Sequence, residues 1–92
     1  MSFLEDENTA VITTKTIIKR QKPIVLVFHD KDDGMWEFLD GEDVNEENAT
    51  IVSLSEILEI DNSLNGLAEL PIGFGAFRDG EDKDWNWFEI KD

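Results

Sequence analysis

The chain has 92 residues, of which 40% are hydrophobic and 10% aromatic. Eight Lys and Arg stand against 22 Asp and Glu, for a formal charge of −14, and there is no cysteine. A chain this short buries roughly two thirds or less of its unfolded surface, so one domain is the most it builds, while its apolar content is too high for a wholly disordered chain. The charge disfavours nucleic acid and anionic membranes and favours cationic proteins or metal ions. Without cysteine there are no disulfides and no thiolate chemistry, and no apolar run approaches the roughly 20 residues of a membrane span.

Residues 1–9 read as a flexible acidic N-terminus, and 10–92 as a single α+β domain. The start, Met1 to Glu7, lacks the basic residues and apolar stretch of a secretory signal. Together with the missing cysteines this implies the cytoplasm. Ala10 to Thr14 is β-branched and predicts a strand. Thr14 to Gln21 fits either a short helix or a continuation of that strand. After Pro23, the apolar run Ile24 to Phe28 predicts a central strand covered on both faces. Asp30-Lys31-Asp32-Asp33-Gly34 is a turn, in which glycine supplies positive φ and aspartate tolerates left-handed geometry. Met35 to Leu39 then completes a hairpin over 24–39, with Trp36 and Phe38 on one face and Glu37 on the other. Asp40 to Asn48 is a polar acidic loop.

The helix signal is strongest at Ser53. Ser53 and Glu56 make a capping box, Val52 and Ile57 occupy the staple positions, and Leu54, Ile57 and Leu58 give the apolar stripe. The helix should run from Leu54 to Ile60. A second short helical segment, capped by Asp61 and carrying Leu64, Leu67 and Ala68, ends before Pro71. Gly73 to Arg78 predicts a strand whose glycines admit a bulge or a close backbone approach. Asp79 to Asp84 is a turn, and Trp85 to Ile90 a final strand forming a second hairpin. The order predicts an α+β fold: an antiparallel sheet of two hairpins plus an N-terminal strand, with one or two short helices packed on one face.

Most chemistry is unsupported. His29 is the sole histidine, and a lone histidine ending an apolar strand reads as structural. The serines lie in no nucleophile-elbow context, and Ser53 is already a cap. With 22 acids, some carboxylate pair falls close by chance, and acid–base catalysis also needs a pocket that a domain this small scarcely holds. None of the Asp-rich turns fits a calcium loop, because the glycine or the third ligand is misplaced at 30–34, 40–44 and 79–84. Zinc lacks ligands, and no phosphate loop or dinucleotide fingerprint is present. The reading is therefore of a non-enzyme with no catalytic residues, no metal and no cofactor.

Two features remain. Asp30 to Glu47 holds nine acids and one lysine, and 79–84 adds four acids and one lysine. Trp85 and Trp87 share one face of the last strand, and tryptophan is enriched at interface hot spots. The candidate partner-binding residues are thus Asp30, Asp32, Asp33, Asp40, Glu42, Asp43, Trp85 and Trp87, with a basic protein as partner. The plainer reading is that the acids confer solubility and the tryptophans cover the core. The basic cluster Lys15, Lys19, Arg20 and Lys22 reads as a face balancing the acidic loops.

The stretch from Asp33 to Asp43, with Trp36, Phe38, Gly41 and Asp43 in W-x-F-x-x-G-x-[DE] spacing, resembles the signature of the immunity protein 33 family, formerly domain of unknown function 2185. The stretches Ile51 to Leu54, Ile60 to Leu64, Leu70 to Gly73 and Ala76 to Arg78 are also similar to it, so the resemblance covers roughly Ala10 to Trp87. The chain departs from the pattern at Met35 and at Asn62, where proline is common. The resemblance implies a non-catalytic immunity protein that binds and neutralises a toxin. The alternative is a structural or regulatory accessory domain without a toxin partner.

Overall fold

The computed structural model describes residues 7–42 and 47–91. The elements are β1 (Ala10–Thr14), α1 (Lys15–Ile18), β2 (Leu26–His29), β3 (Trp36–Leu39), β4 (Ala49–Ser53), α2 (Leu54–Ile60), a 3₁₀ helix (Asn62–Leu67), β5 (Phe74–Phe77) and β6 (Asn86–Glu89). The fold is α+β, with one six-stranded sheet in the order β4-β1-β3-β2-β5-β6.

Both predicted hairpins form: β2 pairs antiparallel with β3, and β5 with β6. Two expectations are corrected. The sheet is mixed rather than antiparallel, because β1 lies parallel to β3 with Ile12 opposite Glu37. Also, β4 is a strand of its own, paired with β1 along all five residues from Ala10↔Ser53 to Thr14↔Ala49. Its β-branched run Thr50-Ile51-Val52 suits a strand, but the partner that satisfies its backbone lies far away in sequence. The wholly buried Thr13 adds a side-chain tie, its Oγ1 donating to Phe38 O at 2.8 Å.

The ambiguous stretch after β1 resolves as one helical turn. Thr14 caps it, its Oγ1 accepting from Ile17 N. It ends in a Schellman pattern, with Gln21 N donating to Thr16 O and Arg20 N to Ile17 O. Arg20 takes the left-handed position at φ 58°, where a non-glycine residue costs about 1–2 kcal/mol. The next helix begins and ends where predicted. Glu56 N donates to Ser53 Oγ at its start. Asp61 ends it and caps the 3₁₀ helix, accepting from Ser63 N at 3.0 Å.

Strand alternation sorts the sheet residues by face. Val11, Val27, Trp36, Phe38 and Ala76 point to one side and form a core with Leu54 and Ile57 of α2 and Leu64 and Leu67 of the 3₁₀ helix. Each of the buried Val, Leu, Ile and Phe side chains gains about 1.5–3 kcal/mol from burial. Ile12, Leu26, Phe28, Glu37, Ile51, Phe77 and Phe88 point to the other side, and none of them joins that core. The strand predicted to be central is central, with β3 and β5 as its neighbours. Its expected coverage on both faces is not found: Leu26 and Phe28 are only half-buried, because the helical core residues all pack on the opposite face.

Candidate functional site

Hairpin geometry decides where the acidic residues go. Asp30, Asp32 and Asp33 lie in the β2–β3 turn. Asp30 N donates to Met35 O at 2.7 Å, Gly34 N to Asp30 O at 3.0 Å, and Met35 N to Asp33 Oδ1 at 2.9 Å. Gly34 takes φ 72°, the left-handed geometry expected of it. Asp40 and Glu42 follow β3 at the opposite end of the sheet. The register Leu39↔Leu26↔Phe77 puts the start of the 79–84 turn at that same end. The predicted residues therefore form two acidic poles, separated along the strands by about 3.3 Å per residue. The fold does not bring them into one patch, and Asp43 lies outside the described residues.

At the second pole the carboxylates are partly engaged within the chain. Glu42 forms an ion pair with Lys22. Their hydrogen bond raises the lysine pKa and lowers that of the glutamate. Asp40 Oδ1 accepts from Glu42 N at 3.0 Å. Part of the basic cluster thus balances an acidic loop, as its sequence pattern implies. At the first pole Asp32 and Asp33 are exposed and Asp30 is half-buried.

The two tryptophans divide. Trp85 is half-buried and packs on the core, with the Arg78 guanidinium 4.3 Å from its ring centroid. Trp87, on the same face but on edge strand β6, is 47% exposed. His29 is buried, with Nδ1 2.8 Å from Leu70 O and its ring stacked on Trp36 at 3.9 Å, which is a structural placement.

Arg78 is the residue that sequence reading passed over. It is 5% exposed and its donors reach three residues in two segments. Nε and Nη2 donate to Ile24 O at 2.9 and 2.7 Å, Nη1 to Ser63 Oγ at 3.2 Å, and Nη2 to Asp61 Oδ2 at 2.6 Å. Burial works against ionisation of Asp61, but hydrogen bonds from Ser63 and Arg78 outweigh it and hold its pKa below the ordinary value. Alternation along β5 would have flagged this arginine, because it falls two residues after inward-facing Ala76. A neighbouring depression of about 250 Å³ is lined by Arg20, Lys22, Ile24, Asp61 and Glu81 among others. It falls below the usual size of small-molecule sites and mixes both charge signs.

Glu37 is the most perturbed carboxyl among the described residues. Burial, a hydrogen bond shared with Asp30 and the charges of Asp30 and Asp33 push its pKa up to about 7. It stands on the face of the sheet that carries no helix among the described residues, between Ile12 and Phe28. Among the described residues no group of three His, Asp or Glu side chains is placed to hold a metal ion, and no helix is long and apolar enough to cross a membrane.

The chain matches no protein-family model, no curated protein and no solved structure. The resemblance to immunity protein 33 thus rests on the sequence itself, on the motif around Trp36 and the similar stretches that follow it as far as Arg78.

Proposed function

We infer that this protein is a non-catalytic binding module for a basic protein, acting in the cytoplasm, and that an immunity-type role fits its motif best: capture and neutralisation of a basic toxin. The supporting observation is the charge of −14, with acids presented on exposed turns at both ends of the sheet. Such a field speeds encounter with a cationic partner and repels nucleic acid and anionic lipid, and both effects weaken with salt. Turns on a rigid sheet are also where binding residues are commonly presented.

The test is capture from a lysate of the source cells at low and high salt, followed by titration of the purified captured protein. A stoichiometric basic protein, held at low salt and released at high salt, is the expected result. Asp32→Asn, Asp33→Asn and Asp82→Asn together should slow its association on the order of tenfold. Unchanged association by that triple variant would overturn the reading. Absence of any stoichiometric partner would favour an accessory domain whose acidity serves solubility.

A further inference from the structure

The pairing register draws one row across the whole sheet: Ile51, Ile12, Glu37, Phe28, Gly75, Phe88. The adjacent row is Leu39, Leu26, Phe77 and Asn86. Both rows lie on the face away from α2 and the 3₁₀ helix. Phe88 packs so closely over the sheet that a Cβ on Gly75 would come within 2.5 Å of its ring. Its ring meets Phe28 edge-on at 6.0 Å and Phe77 at 6.1 Å. Ile51 is 66% and Phe77 44% exposed, while Ile12, Leu26, Phe28 and Phe88 are half-buried. Large contiguous apolar patches on a protein surface mark sites of interaction.

Charge selects the occupant. Glu37 is the only ionisable group in the two rows, and the groups that act on it are Asp30 and Asp33. A second copy would set −14 against −14 and bring these carboxyls towards their like. Anionic lipid meets the same repulsion. A cationic segment with apolar side chains meets neither obstacle. Its apolar residues cover the aromatic and isoleucine positions, and its charge satisfies Glu37 in a setting partly shielded from water, where ion pairs are stronger than in bulk. Building on the proposed function, we propose that this face, which points away from α2 and the 3₁₀ helix, docks a basic protein segment whose apolar residues lie along the two rows and whose Lys or Arg ion-pairs with Glu37 and Asp30.

The test is ¹⁵N NMR of the full chain with two synthetic peptides of equal charge, one alternating Leu and Arg and the other oligo-lysine. The Leu/Arg peptide should shift Ile12, Phe28, Glu37 and Phe88 and bind at least about tenfold more tightly than oligo-lysine. Ile51→Thr with Phe77→Thr, both at exposed positions, should weaken the Leu/Arg peptide by about tenfold and leave oligo-lysine unchanged. Shifts confined to Asp32 and the 79–84 turn would overturn the docking face while leaving the acidic-binder reading intact. No shifts with either peptide at low salt would overturn both. Concentration-dependent shifts on this face without peptide would assign it to a second copy and overturn the proposal.

Discussion

The two faces of the sheet are made from alternate residues of the same six strands, yet they meet different surroundings. One face meets two helical segments, and its residues Val11, Val27, Phe38 and Ala76 are wholly buried. The other carries side chains of comparable size, including Ile51, Phe28, Phe77 and Phe88, without helical cover among the described residues. Hydrophobicity alone does not separate them. What separates them is that α2 and the 3₁₀ helix, with Asp61 between them, are bound to one side through Arg78. The covered face holds the fold together, and the open face is available for contact.

The largest effect that would break this comparison lies at Arg78. Arg78→Ala removes the ties to Ile24, Ser63 and Asp61 and leaves a partly buried carboxylate without its cation. A loss of about 3 kcal/mol is expected, which for a domain of this size lowers Tm by well over 10 °C, at roughly 4–8 °C per kcal/mol; calorimetry measures it. Next comes Gly75→Ala. Its Cβ meets the Phe88 ring and, at 2.9 Å, Val27 O, so the ring must lift from the sheet at a cost of about 2 kcal/mol. Chemical denaturation should show this, accompanied by increased exposure of the aromatic cluster on the open face. A stability unchanged in either variant would refute the packing described.

Glu37 sharpens the comparison through pH. Its pKa is about 7 in the fold against an ordinary 4.5, so the folded state holds the proton more tightly than the unfolded one. The resulting contribution to stability is fully present below about 4.5 and is lost as pH rises through about 7. Glu37→Gln removes that dependence while keeping a group that donates to Asp30. Relative to the wild type, its Tm should therefore be higher at about pH 8 than at about pH 5. The difference should be on the order of 1 kcal/mol once solvent screening is allowed for. An identical difference at both values would place Glu37 in water. The smallest effect is expected at Ile51→Thr, where 66% exposure should hold the change within about 0.5 kcal/mol while any binding on the open face is weakened.

Much of the local structure was legible. The Ser-x-x-Glu box and its stripe placed α2 to the residue, because capping and helical periodicity are properties of neighbours in sequence. The β2–β3 turn was legible from Asp33 and Gly34; the glycines of β5 signalled a bulge or a close backbone approach, and at Gly75 it is the Phe88 ring that comes closest. The candidate site was less so. The acidic turns were located, but strand geometry sends them to opposite ends, and the row formed by Ile51, Ile12, Glu37 and Phe28 joins the β2–β3 hairpin to β1 and β4 through pairings distant in sequence. The role of Arg78 was hidden for the same reason, since its acceptors sit 54 and 17 residues away.

By itself, then, the sequence determined the charge, the α+β class, the two hairpins and the helical caps, all of which depend on composition or on residues a few positions apart. Tertiary structure alone decided that β1 lies parallel to β3, that β4 closes one edge, and that the residues after Thr14 turn into a helix. It also decided which apolar face the helices cover and which they leave open. Alternation makes both faces apolar, and only the long-range docking of Leu54, Ile57, Leu64 and Leu67 buries one of them.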